Sequence, residues 1–364
     1  MKFTCVVSAL LLGLSAGQQN VVDVAVEQGF TVLAAFATAA ELVDTLATTQ
    51  GITVFAPTDE AFLALGATVP DVVANLNTPQ WQPHLQDVLA YHVVPSEVPS
   101  SAVTDGLTAN ALNGEALSFT VNDEGVFVNE NTQVTVVDVA ADNGIIHVVD
   151  SVLIPSWVSN SIVDRAVASP DLTTLVDLVV KAELAETLSG AGPYTVFAPT
   201  DAAFVEFLGE GADTSALDTA LVTDILTYHV VEGIYTASQV TDGLTLTTIQ
   251  GEDITFTVAD SAMVNGETIV ATDILANNGI VHVIDGVLSP PKKEAADDMS
   301  STMEDETTME KEEEDSHDSH DHDSHDHADD MKDDMKDDES AGVAARVAAG
   351  AASAAFAAAA VLLF

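Results

Sequence analysis

The densest set of groups able to do chemistry is the run DSHDSHDHDSHDH, where His317, His320, His322, His325 and His327 stand among aspartates. Imidazole suits zinc, copper and nickel, while carboxylate oxygen suits calcium and magnesium. Without a fold to fix geometry, such a run is either a weak divalent-cation binder or a solvated spacer. Two Tyr-His pairs come next, Tyr91-His92 and Tyr228-His229, each followed by two valines. They are either structural, with ring bodies buried and polar tips hydrogen-bonded, or contact residues for a partner. His147 and His282 each lie alone on an apolar strand, with no second histidine or cysteine at ligand spacing. They read as satisfied core or edge histidines in preference to metal ligands. The sequence contains no G-x-S-x-G elbow, H-E-x-x-H, Walker loop or dinucleotide fingerprint. No enzyme is expected, and paired carboxylates carry no weight in so acidic a chain.

That acidity limits the partners. Residues 21–290 hold 36 acidic residues against two basic ones, Arg165 and Lys181, a net charge of 2 − 36 = −34. Such a surface argues against direct binding of nucleic acid or anionic lipid. Residues 291–340 hold 22 acids, five lysines and five histidines with no aromatic residue. They cannot bury enough apolar surface to fold and are expected to be a disordered, self-repelling stalk. Fully extended, it would reach about 165–180 Å.

Both ends of the sequence read as processing signals. Residues 1–17 place Lys2 before an apolar run and end in small residues, the pattern of a secretory signal peptide. The single cysteine, Cys5, falls inside it, so thiol chemistry is not expected in the mature chain. At the other end, the small residues Ser340-Ala341-Gly342 precede a spacer and an apolar run to Phe364. This is the pattern of a glycolipid (GPI) attachment signal, with Ser340 as the lipid-bearing residue and 341–364 removed. A transmembrane helix is the other reading. Arg346, the alanine-rich composition and the lack of a basic flank count against it.

The elements that would position these residues occur twice. TVFAPTDEAF (53–62) returns as TVFAPTDAAF (195–204), the Tyr-His pair returns, and NGIIHVVDSVLIP (143–155) returns as NGIVHVIDGVLSP (278–290). The offsets are 142, 137 and 135 residues, so a domain of ordinary size has been duplicated. The expected boundaries are 18–155 and 161–290, with 156–160 as a linker. Each copy opens with a helical run. Leu33, Phe36, Ala40, Val43 and Leu46 precede Gly51 in the first, and Leu172, Leu175, Leu178, Val179 and Leu184 precede Gly190 in the second. A short strand then stops at proline, Thr58 caps the next helix, and a further helix leads to Tyr91. From there period-two alternation takes over (Leu117-Phe119-Val121, Val126-Val128, Val134-Val136). The turn Asp142-Asn143-Gly144 should pair the strand around Val136 with Ile145–Val149. Helices followed by a mostly antiparallel sheet make an α+β fold. Phe55, Phe62, Phe197 and Phe204 are expected where the repeated helix packs on the sheet.

These blocks resemble the fasciclin-1 (FAS1) family: TVFAPTD–AF is similar to its first signature, and YHVV with NG–HV–D–VL–P to its second. The resemblance implies two tandem domains, each a β-wedge packed with helices, and an adhesive role at the cell surface or in the matrix. It implies a protein or polysaccharide partner there, and membrane contact through the lipid only, on the extracellular face of the plasma membrane or after shedding. In some animal relatives the Tyr-His pair and an Asp-Ile segment are linked to integrin binding. Here that segment maps to Asp138-Val139 and Asp273-Ile274, and the second keeps the isoleucine. Some algal relatives carry carotenoids, which makes apolar-ligand carriage the alternative function, with divalent-cation or mineral handling as another. No cofactor is firmly expected. The sequence has no Asn-x-Ser/Thr sequon.

Overall fold

The computed structural model describes residues 19–291. The expected signal peptide (1–17), His317, His320, His322, His325, His327, Ser340 and residues 341–364 lie outside the described residues.

The first domain runs α1 (Val21–Glu27), α2 (Thr31–Ala39), α3 (Val43–Thr48), β1 (Ile52–Pro57), α4 (Asp59–Thr68), α5 (Pro70–Leu76), α6 (Gln82–Tyr91), β2 (Val93–Val94), β3 (Thr108–Asn110), β4 (Ala116–Asn122), β5 (Gly125–Val128), β6 (Thr132–Ala141) and β7 (Gly144–Val149). The second repeats the plan with one helix fewer: α7 (Ile162–Ala168), α8 (Thr173–Lys181), α9 (Ala185–Ser189), β8 (Tyr194–Pro199), α10 (Asp201–Leu208), α11 (Thr219–Tyr228), β9 (Val230–Glu232), β10 (Thr245–Thr247), β11 (Asp253–Val258), β12 (Ala262–Val264), β13 (Glu267–Ala276) and β14 (Gly279–Ile284).

Each domain has one seven-stranded sheet, ordered β2-β1-β7-β6-β5-β4-β3 in the first and β10-β11-β12-β13-β14-β8-β9 in the second. All pairs are antiparallel except β1–β7 and β8–β14. Gly144 stands where β7 meets β1, and a Cβ there would collide with the Ile52 carbonyl. The two edges come back together. The Leu112 amide donates to Val93 O at 2.7 Å, and the Ile249 amide to Val230 O at 2.8 Å. The sheet therefore nearly closes on itself and has two packed faces.

Those faces carry separate cores. Ile146 and Val148 of β7 meet Leu33, Phe36, Phe62, Leu85 and Leu89 of the helices. Val149 and Phe55 turn to the other side and pack with Tyr91, Leu117, Phe119 and Val128. Only part of the phenylalanine expectation holds. Phe62 and Phe204 lie in the helix-side cores, while Phe55 and Phe197 lie inside the β-wedge. The reason is the pleat: Phe55 sits one residue from Val54 and Ala56, both of which take the helix side.

The opening helical run is also broken where a single stretch was expected. Glu41 (φ 58°) and Glu183 (φ 57°) adopt the left-handed conformation. The Leu42 amide then reaches back to Ala37 O, and the Leu184 amide to Val179 O. This chain reversal caps α2 and α8 and folds Leu46 and Leu184 back onto their cores. Thr58 and Thr200 cap α4 and α10 as expected, accepting from the Ala61 and Ala203 amides.

The linker residues are themselves folded. Ser156–Ser159 form a single 3-10 turn, and Trp157 is buried, its Nε1 donating to the Asp87 carboxylate at 2.8 Å. The Ser156 amide and hydroxyl donate to Glu115. Trp81, Ile234 and Ile280 make a small buried cluster between the domains.

Candidate functional site

The Tyr-His pairs are built into the domains. Tyr91 OH accepts from Asn129 Nδ2 at 2.7 Å and donates to Ala116 O at 3.3 Å. Tyr228 OH does the same with Asn265 and Asp253 O, both at 2.8 Å. The asparagines that hold them take positive φ, 49° and 46°. His92 Nε2 accepts the Leu153 amide at 2.9 Å, so its hydrogen must be on Nδ1, which donates to Val88 O at 2.7 Å. His229 repeats this with the Leu288 amide and Ile225 O. Complete burial pushes both histidines down to about 4, against the pull of those carbonyls. Tyr91, His92, Tyr228 and His229 are buried, and each ring's polar atoms are satisfied internally. Of the two readings of these pairs, their burial supports the structural one: they tie the last helix to the sheet and to the chain leaving it.

The Asp segments lie outside. β6 and β13 each bulge, the register shifting between Val136 and Val139 and between Ala271 and Ile274. Asp138 (φ 56°) and Asp273 (φ 59°) sit in these bulges, exposed. Such backbone is uncommon for a residue other than glycine, and a specific bond supports it here. The Asp138 amide donates to His147 Nδ1, and the Asp273 amide to His282 Nδ1, both at 3.3 Å. His147 Nε2 in turn donates to Val98 O at 2.9 Å, and His282 Nε2 to Tyr235 O at 2.7 Å. Their rings pack on Phe55 (5.5 Å) and Phe197 (5.6 Å). Burial depresses His282, opposed by the Tyr235 carbonyl and the Asp273 charge. Both histidines are thus core residues that hold a surface bulge. Among the described residues no group of three or more His, Cys, Asp or Glu could hold a metal ion.

The two aspartates differ in what remains free. Both Asp138 oxygens are engaged, by the Ser100 amide at 2.8 Å and the Ser100 hydroxyl, and those donors hold its carboxyl below the usual range. Asp273 has one bond, from the Ala237 amide at 2.9 Å. Val139 and Ile274 are half-buried against the helix-side cores. The exposed apolar neighbours are Val136 and Val137 on β6, and Val270 on β13.

Sequence reasoning missed several anchoring residues. Asn143 Oδ1 accepts the Val21 amide at 2.8 Å, and its Nδ2 donates to Leu46 O and Thr49 O. Asn278 repeats this with Ile162, Leu188 and Gly190. The Asn-Gly turn signal was visible, but not that its side chain clamps two helices. Asp59 and Asp201 cap a different helix from their own: Asp59 accepts from Thr31 and Val32, and Asp201 from Thr173 and Thr174. The two cations of this region are also spent internally. Arg165 Nε donates to Leu275 O, and Lys181 Nζ to the carbonyls of Thr214, Ser215 and Leu217.

Matching apolar spaces lie under the helices of both domains. One, about 40 Å³, is lined by Val21, Leu33, Ala37, Leu89 and His92. The other, about 30 Å³, is lined by Ile162, Leu175, Val179, Leu226 and His229. Organic-ligand pockets run to roughly 300–1,000 Å³. A pigment does not fit either space with the helices as packed.

The Fasciclin domain family matches residues 28–155 and 170–290. Protein sll1483 of Synechocystis is 42% identical over 134 residues, 36% of this chain and 74% of that protein. Cell surface glycolipoprotein MPB83 of Mycobacterium bovis is 44% identical over 109 residues, 30% of this chain and 48% of that protein. A FAS1 domain pair from the insect cell adhesion molecule Fasciclin I aligns over 73% of this chain and 97% of its own, at 19% identity and a TM-score of 0.40.

Proposed function

Because the chain belongs to the Fasciclin domain family, we propose that it is an extracellular, non-enzymatic recognition protein that adheres to a matrix or cell-surface partner through its second domain. Asp273 carries this reading. Its carboxylate is exposed on the strand that also exposes Val270, lies on a bulge held by His282, and spends only one hydrogen bond inside the fold. A charged group and an apolar one on the same rigid element offer a contact that loses little freedom on binding. Asp138 is the weaker candidate because Ser100 occupies both of its oxygens. Many copies on one surface would add avidity to weak single contacts. Asp273→Ala should lower the detachment force of cells or beads carrying the protein, at matched density and unchanged circular dichroism, and Asp138→Ala should lower it less. Equal force for wild type and Asp273→Ala would return that aspartate to a structural role.

The surface location is supported by the signal-peptide pattern and by the cell-surface name of the mycobacterial relative. In this reading Ser340 carries a glycolipid, and residues 291–340 hold the domains off the membrane. Phosphatidylinositol-specific phospholipase should release the protein from cells. Recovery of Phe364 in the surface form by mass spectrometry would overturn the anchor.

A further inference from the structure

One buried titratable group has no role in the proposed recognition. His84, on α6 of the first domain, is fully buried. Its Nε2 lies 3.0 Å from Ala276 O and 3.1 Å from Gly279 O, the carbonyls flanking the Asn277-Asn278 turn of the second domain. Both partners are acceptors, so the ring hydrogen is on Nε2. Nδ1 is then a bare lone pair, and it has no hydrogen-bond partner among the described residues. The ring lies between Trp81 (4.4 Å) and Trp157 (4.8 Å, edge-on). Trp81 in turn packs on Ile234 and Ile280 of the second domain.

No charged side chain balances a proton there. On α6, Asp87 is taken by Trp157 Nε1 and Asn113. Glu115 is taken by Ser156, and Arg165 of α7 by Leu275 O. Glu232 stands at the lip of the cleft that Gln80 and Gly233 line. The Trp81 turn, the Trp157 turn and the β13–β14 turn contribute no ionisable group.

We propose that His84 is a proton-operated latch between the two domains, closed while its ring is neutral and released when a proton adds to Nδ1. The added proton comes from solvent, and the Nε2 hydrogen stays in place. A charged ring sealed between two indoles, with no acceptor for its new hydrogen, is favoured only once water reaches it. Separation can supply that water by parting the Trp81–Ile234–Ile280 cluster and lifting Leu275 of β13 off the first domain's helix-side core, while the buried members of all four domain cores stay within their own domains. Burial holds His84 at about 4 against an ordinary 6.5. Acidification from 6.5 to 4 therefore raises the released-to-closed ratio by about 80-fold, toward a limit at lower pH of about 300 times the neutral-ring value. The device belongs to this joint alone. At the Tyr-His offset, the second domain's counterpart of His84 is Leu221, which is exposed.

The chain's two tryptophans are the two that touch the ring, so indole emission reports on this joint. In the mature chain titrated from pH 7 to 3.5, emission should shift to the red and the radius of gyration should rise before the helical circular dichroism falls. In His84→Gln, whose amide can still donate to one of the carbonyls, emission should change only together with circular dichroism. Emission and circular dichroism that coincide in wild type, or an early step that persists in His84→Gln, would overturn the latch. If His84→Gln does not fold, wild-type NMR decides. The Trp157 indole N–H should titrate with the midpoint of the His84 ring, and an independent midpoint refutes the proposal.

Discussion

Lowering the pH from 7 to 5 should destabilise each domain by at least about 2 kcal/mol, through His92 in the first and His229 in the second, with buried His84 and His282 adding to the loss. His92 and His229 ionise at an ordinary 6.5 once unfolded and at about 4 when folded. Between those values the unfolded chain binds more protons, so stability falls as pH falls. Integrating that uptake for one imidazole gives a loss of about 1.8 kcal/mol from pH 7 to 5. The window matters because the carboxylates, with ordinary pKa values near 4, stay largely ionised above pH 5. Relief of the acidic self-repulsion therefore cannot mask the effect until lower pH. Urea unfolding by circular dichroism, at fixed salt, is the assay. With a slope of roughly 2 kcal/mol per M, each domain's midpoint should drop by at least about 0.9 M. His92→Gln will be less stable throughout, and its domain should lose the share of the pH slope that His92 carries, keeping the share of buried His84, while the second domain's slope is unchanged. Equal stability at pH 7 and 5 in wild type would refute the reasoning, since it would mean that these rings titrate alike in both states.

Phe62→Ala should cost its own domain about 3–5 kcal/mol, because the ring is buried 5.4 Å from Phe36 in the helix-side core. An unchanged first-domain melting transition would show that the cavity is not formed. Asn143→Ala leaves the Val21 amide and the Leu46 and Thr49 carbonyls without their partner. The expected loss is about 3 kcal/mol, with hydrogen exchange speeding up first in α1 and α3. A loss below about 1 kcal/mol would mean that water replaces the amide.

What the sequence made legible follows from how local each signal is. Thr58 caps a helix three residues away, and alternation in Leu117-Phe119 reports directly on which face is buried, so both could be read. The bulge could not. Val134 and Val136 alternate as a plain strand, and only the structure reveals Asp138 with its amide on His147. Asp59 stands in the first turn of its own helix, where local rules would place its effect, and its carboxylate serves α2 instead. His84 left no trace because its partners are backbone carbonyls 192 and 195 residues away, and carbonyls carry no residue signature. The Tyr-His pairs were legible as a repeat but not as a role. Burial decided that role in favour of structure, leaving the aspartates as the outward-facing members of the site.

The fate of the two cations also bears on how long such a protein lasts outside a cell. Trypsin-like proteases need a lysine or arginine in an extended, accessible segment. Residues 19–291 offer two, one inside α7 and one closing α8, each with its side chain held by backbone carbonyls. Cutting at either requires the helix to open first, so native digestion there is limited by unfolding and not by encounter. A pair of recognition domains so short of cleavable sites should outlast less acidic neighbours wherever such proteases are secreted.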